Sequence, residues 1–123
     1  MTVKAEIEAA LQTYFDGLYE GDADKLARVF HPTAVLSSAT DGSLAQMTCA
    51  QYLDLVRSRP SPKSRNAPRA DKVLSIDTSG PNAAVAKVEC AVHPRYFTDF
   101  NTFAKVDGEW RIVSKIYHYV VRD

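Results

Sequence analysis

A chain of 123 residues has the size of one ordinary domain, and a make-up of 46% hydrophobic, 10% aromatic and 24% charged residues excludes a disordered or fibrous protein. Fifteen basic residues cancel fifteen acidic ones, which excludes the strong basic field that nucleic-acid binding needs. Cys49 and Cys90 make neither a metal spacing nor a disulfide framework, and read as small buried apolar residues.

The chain opens with MTVKAEIEAALQTYF, which lacks the unbroken apolar stretch of a secretory signal, and no later run is long enough to span a membrane. A cytoplasmic protein without a membrane anchor is the expectation. Val3, Ile7, Leu11, Tyr14, Phe15 and Leu18 form the stripe of an amphipathic helix, stopped by Gly21. Asp22 caps a shorter helix through Leu26, Val29 and Phe30, which must end near His31 because Pro32 disfavours helical geometry before it. His31 thereby reads as a helix-end residue. Ala34–Ser38 and Leu44–Met47 read as two short strands around an Asp41-Gly42 turn. Thr48 and Gln51 form a capping box, and Tyr52, Leu53 and Val56 give the third helix its apolar side.

The stretch RSRPSPKSRNAP carries three prolines and reads as a loop. Arg57, Arg59, Lys63, Arg65, Arg69 and Lys72 face one acid there, Asp71. A solvated loop is the plain reading; a basic rim for an anionic ligand is the other.

Beyond Arg69 the pattern alternates, giving strands over 73–78, 83–92, 96–106 and 109–121. Helices first and strands after predict an α+β fold, with helices on one face of a curved antiparallel sheet, as one domain over residues 1–123. Asp107-Gly108 predicts a two-residue type I′ hairpin. That register sets Lys105 opposite Trp110, Phe103 opposite Ile112, Asn101 opposite Ser114, Asp99 opposite Ile116 and Phe97 opposite His118, all on one face. The face is apolar near the turn and becomes mixed farther along, as where a pocket opens between sheet and helices. Its expected wall is Phe97, Asn101, Phe103, Trp110, Ser114 and Ile116 from the sheet, with Tyr14, Phe15, Phe30 and Tyr52 from the first half. The opposite face, with Phe100, Thr102, Val113 and Tyr117, has the mixed character of a homodimer interface or of an exposed face with cross-strand aromatic pairs.

Asp99 and His118 are the candidate catalytic residues. They are diagonal neighbours in this register, where a carboxylate fixes a histidine's tautomer and raises its basicity; the pair is a general base or a structural pair. His93 lies beside Pro94 at a strand end and is expected to face solvent. The three histidines carry no metal signature, and no phosphate loop or nucleophile elbow is present.

The segment FTDFNTFAKVDGEWRIVSKIYH resembles the C-terminal hairpin of the putative lumazine-binding family, with Phe97, Asp99, Phe100, Lys105, Asp107, Gly108, Trp110, Arg111, Ile112, Val113 and Lys115 at the matching positions. YFDGLYEGDADKLARVFHPTAVL is similar to that family's start. Phe100 stands where the pattern has tyrosine, and Asn101 where an apolar residue is expected. The resemblance implies the nuclear transport factor 2-like superfamily: a cone of bent sheet around helices, a deep pocket, and a homodimer through the outer sheet face. It implies no catalytic residue. The expected function is binding of a small apolar or aromatic molecule without a cofactor. The alternatives are a cofactor-independent isomerase, dehydratase or cyclase using Asp99 and His118, and a non-catalytic dimeric module.

Overall fold

The computed structural model describes residues 1–123. Helix α1 spans Val3–Glu20; the Thr2 side chain accepts from the Ala5 N–H at its start, and Gly21 ends it in the left-handed region at φ 66°. Asp22 caps α2 (Ala23–Val29) by accepting from the Lys25 N–H. Strands β1 (Phe30–Ser38) and β2 (Ala45–Thr48) lead to α3 (Cys49–Ser58), which starts in the Thr48–Gln51 capping box. Four long strands follow: β3 (Lys72–Ser79), β4 (Ala83–Val92), β5 (Arg95–Val106) and β6 (Glu109–Val121).

Two local expectations are corrected. Helix α2 stops at Val29, because Phe30 already pairs with Ile112 in the sheet. His31 is therefore a strand residue, with Nδ1 2.8 Å from the Thr33 hydroxyl oxygen, and caps no helix. The proline-rich stretch is also not wholly irregular, since Lys63–Arg65 make one 3₁₀ turn.

The six strands form one sheet in the order β2-β1-β6-β5-β4-β3. Every neighbouring pair is antiparallel except β1 with β6, which run parallel. A parallel neighbour needs a long crossover, and the whole segment from β2 through β5 supplies it. Three helices pack on this curled sheet. The core between them holds Ile7, Leu11 and Tyr14 of α1, Leu26 and Val29 of α2, and Leu36, Val88, Phe103 and Ile112 of the sheet. No helix is long and apolar enough to cross a membrane.

Candidate functional site

The site is built on the β5–β6 hairpin. Asp107 and Gly108 take φ values of 51° and 80°, the two left-handed positions that a type I′ turn requires. From this turn Val106 pairs with Glu109, Lys105 with Trp110 and Phe103 with Ile112, as the sequence predicts. The next pair is Thr102 with Ser114, so Val113 is an extra residue in β6, a β-bulge.

One extra residue exchanges the two faces of β6 beyond it. Lys115 and Tyr117 turn inward, and Ser114, Ile116 and His118 turn outward. His118 is exposed and stands opposite Thr98, so the expected Asp99–His118 pair does not exist. Ile116 is 60% exposed, and the Ser114 hydroxyl lies 2.5 Å from that of Thr102; neither is a pocket residue. Tyr117 likewise leaves the outer face on which a dimer contact was expected.

Asp99 stays inside, fully buried, with a different set of partners. The Tyr14 hydroxyl donates to Asp99 Oδ2 at 2.5 Å, and the Cys90 thiol lies 3.4 Å from the same oxygen. The Lys115 ammonium donates to the Tyr14 oxygen at 2.7 Å and stands 3.6 Å from Asp99 Oδ2. Tyr14 thus links the carboxylate to the ammonium. The four side chains come from α1, β4, β5 and β6, elements that meet only in the folded sheet.

The lysine sits among aromatic rings. Its Nζ is 5.2 Å from the Tyr14 centroid, 5.3 Å from those of Tyr52 and Tyr117, and 6.0 Å from that of Phe97. Ring faces attract a cation and offset part of the cost of withdrawing it from water. Beside it opens a cavity of about 80 Å³, as traced by the centre of a water-sized sphere. Lys115, Tyr52, Phe97 and Tyr117 line it with Leu18, Leu36, Met47, Leu55, Cys90 and Val92, and Arg59 and Arg95 complete the wall.

Of the expected wall, Tyr52 and Phe97 line the cavity. Tyr14, Phe15, Phe30 and Phe103 are packed in the core, with Tyr14 and Phe30 edge-on at 5.9 Å. Trp110 donates its indole N–H to Glu6 at 2.7 Å and pins the hairpin to α1 instead. Asn101 is wholly buried, and neither polar atom of its side chain has a partner in the chain.

The charge states follow from burial and neighbours. Burial, then the Asp99 carboxylate, pushes the Tyr14 phenol well above its ordinary range, so it stays a proton donor. Burial likewise raises the Cys90 thiol far up, and Asp99 adds to it. For Lys115 burial pulls downward, but Asp99, Tyr52, Cys90 and Tyr117 together outweigh it and leave the amine's pKa raised. Lys115 is an ammonium at neutral pH. An ammonium has three N–H donors; Tyr14 takes one, and no other group of the chain accepts from it.

The family model described as putative lumazine-binding matches residues 2–118. The chain belongs to that family. Among curated proteins, aldolase FrzH from a Cladobotryum species is 27% identical over 119 residues, spanning 93% of this chain and 91% of that one. Among solved structures, an NTF2-like protein of unknown function from Shewanella baltica superposes with a TM-score of 0.83 at 25% identity, covering 99% of each chain. A second, from Silicibacter pomeroyi, gives 0.80 at 25% identity over 98% of this chain and 100% of that one. A third, from Methylobacillus flagellatus, gives 0.83 at 24% identity over 98% and 96%.

Sequence reasoning missed Lys115 and Tyr117 as inward residues. Strict alternation from the turn puts both outside, and nothing in the side chain of Val113 announces a bulge. The usable signal was the family pattern, whose hairpin closes on a lysine at position 115.

Proposed function

We propose that the protein binds a small, flat, largely apolar molecule in the cavity between α3 and the inner sheet face, and that Lys115 receives an oxygen of that molecule. The observation that carries this reading is a buried ammonium, 5% exposed at residue level, that lines an apolar cavity with donors to spare. A buried charge with unused donors is costly unless something else completes its shell. A carbonyl or enol oxygen fits, with aromatic rings stacking on Tyr52, Phe97 and Tyr117.

The test is a matched pair of probes. 2-Acetylnaphthalene has a carbonyl oxygen; 2-ethylnaphthalene has the same shape without one. Saturation-transfer NMR should show the ketone binding more tightly, with the difference gone in an Asp99→Asn/Lys115→Met double variant. Replacing both partners avoids stranding one buried charge. Equal binding of the two probes to the unmodified protein would reject the reading.

A second reading is favoured by the aldolase relative and by the Tyr14–Lys115 contact. An ammonium held ready for a carbonyl oxygen also stabilises the negative charge that grows there when solvent takes a proton from the adjacent carbon. The chain would then be a cofactor-independent enzyme of enolate chemistry. Deuterium uptake at the methyl group of 2-acetylnaphthalene in D₂O, faster with the unmodified protein than with the double variant, is its expected signature.

We also propose a homodimer through the outer sheet face, on the support of exposed Phe100 and Ile116.

A further inference from the structure

Resting on the binding reading above, we infer that the ligand is an anion whose carboxylate is held at the cavity mouth by Arg59 and Arg95, while its opposite end meets Lys115. The cavity wall contains three cationic residues, Arg59, Arg95 and Lys115, and no acidic one. In a chain of zero net charge that imbalance is local.

Among the arginines of the proline-rich segment and its flanks, Arg59 is the one whose guanidinium has no partner. Arg57 pairs with Asp54 at 3.1 Å, and Arg69 with Asp16 and with Asp71. Arg65 donates to the His93 carbonyl. Arg59 has no ion pair, and its guanidinium makes no hydrogen bond within the chain; its backbone N–H closes the end of α3 on Leu55. Arg95, the first residue of β5, is also without a carboxylate partner. Its guanidinium instead stacks 4.6 Å from the Tyr119 ring centroid, which fixes its plane. Arg59 and Lys115 both draw the Tyr52 phenol down against the rise that burial causes, so the mouth and the floor of the cavity are felt at one ring.

Two guanidinium forks without partners, on the wall of an apolar cavity, match the planar two-oxygen geometry of a carboxylate. The substrate class that satisfies all three cations is an aromatic oxo-acid, with a carbonyl at one end and a carboxylate at the other. The mouth position also means that the carboxylate keeps some water, which lowers its desolvation cost.

The experiment compares 6-acetyl-2-naphthoate with 2-acetylnaphthalene by titration calorimetry. The unmodified protein should bind the acid at least about tenfold more tightly, the value of one good charge-assisted contact. An Arg59→Gln/Arg95→Gln variant should lose that margin, so that it binds the acid and the neutral ketone alike. Both arginines lie at the surface end of the cavity, and circular dichroism checks that the variant is folded. If the acid and ketone bind equally, or the margin survives in the arginine variant, the inference is overturned while ketone binding keeps the parent reading standing. If the margin vanishes in Asp99→Asn/Lys115→Met but not in the arginine variant, the carboxylate sits on Lys115 and the inference is again overturned. If neither compound binds, both readings fall together.

Discussion

Tyr14 is a bridge between two charged groups, and its hydroxyl is the atom that lets Asp99 and Lys115 share a site without touching closely. Tyr14→Phe keeps the ring that packs on Phe15 and Phe30 and removes only that atom. Hydrogen bonds to charged groups are worth about 1.5–3 kcal/mol, so the variant should lose about 2 kcal/mol, read as a lower urea midpoint at unchanged slope. Asn101 lies two residues from Asp99 on the same buried face, and its amide is unpaired. Asn101→Leu keeps the branched shape and heavy-atom count and removes an unsatisfied buried polar group, so a gain of about 1–3 kcal/mol is expected. A loss in the same urea titration would show that the amide is bridged by internal water.

At the scale of elements, the helices and strands were legible because their signals are local. Capping residues, glycine stops and the Asp107-Gly108 turn each act within four residues. What was not legible is the single-residue excess at Val113, because a bulge is set by how β6 must bend to lie beside both β5 and β1. The errors within β6 come from that one residue: it exchanged His118 for Tyr117 and Ile116 for Lys115. The parallel β1–β6 pairing was hidden for the same reason, being a long-range outcome without a local mark. Inserting one alanine between Val113 and Ser114 shifts every later residue of β6 by one place against β5 and sets Lys115 opposite Phe100. It should turn Lys115 out to solvent, strand Asp99 without its cation, cost about 3–5 kcal/mol, and abolish binding of 2-acetylnaphthalene. A variant that kept both stability and ketone binding would refute the role given to the bulge.

For the whole molecule, the buried groups Cys90, Tyr14 and Lys115 set the alkaline limit of the fold. All three have pKa values raised above their ordinary values of 9.0, 10.0 and 10.5, so the folded chain holds protons that the unfolded chain releases. Their contribution is complete below about pH 9 and falls as pH rises above it. Thermal midpoints measured from pH 7 to 11 should therefore drop above about pH 9, and drop less steeply above about pH 10 in Tyr14→Phe. The outer sheet face makes a separate prediction. Sedimentation at micromolar concentration should give a dimer, and Phe100→Glu/Ile116→Glu should give a monomer that still binds the ketone. An unmodified protein that sediments as a monomer would remove the dimer from the account.

The central claim is that Lys115 meets a ligand oxygen inside the cavity. Its most direct measurement is the ¹³C shift of 2-acetylnaphthalene labelled at the carbonyl carbon, bound to the unmodified protein and to Asp99→Asn/Lys115→Met. An ammonium donor polarises the carbonyl, so the account predicts a resonance farther downfield in the unmodified protein than in the variant. The same shift in both would contradict it.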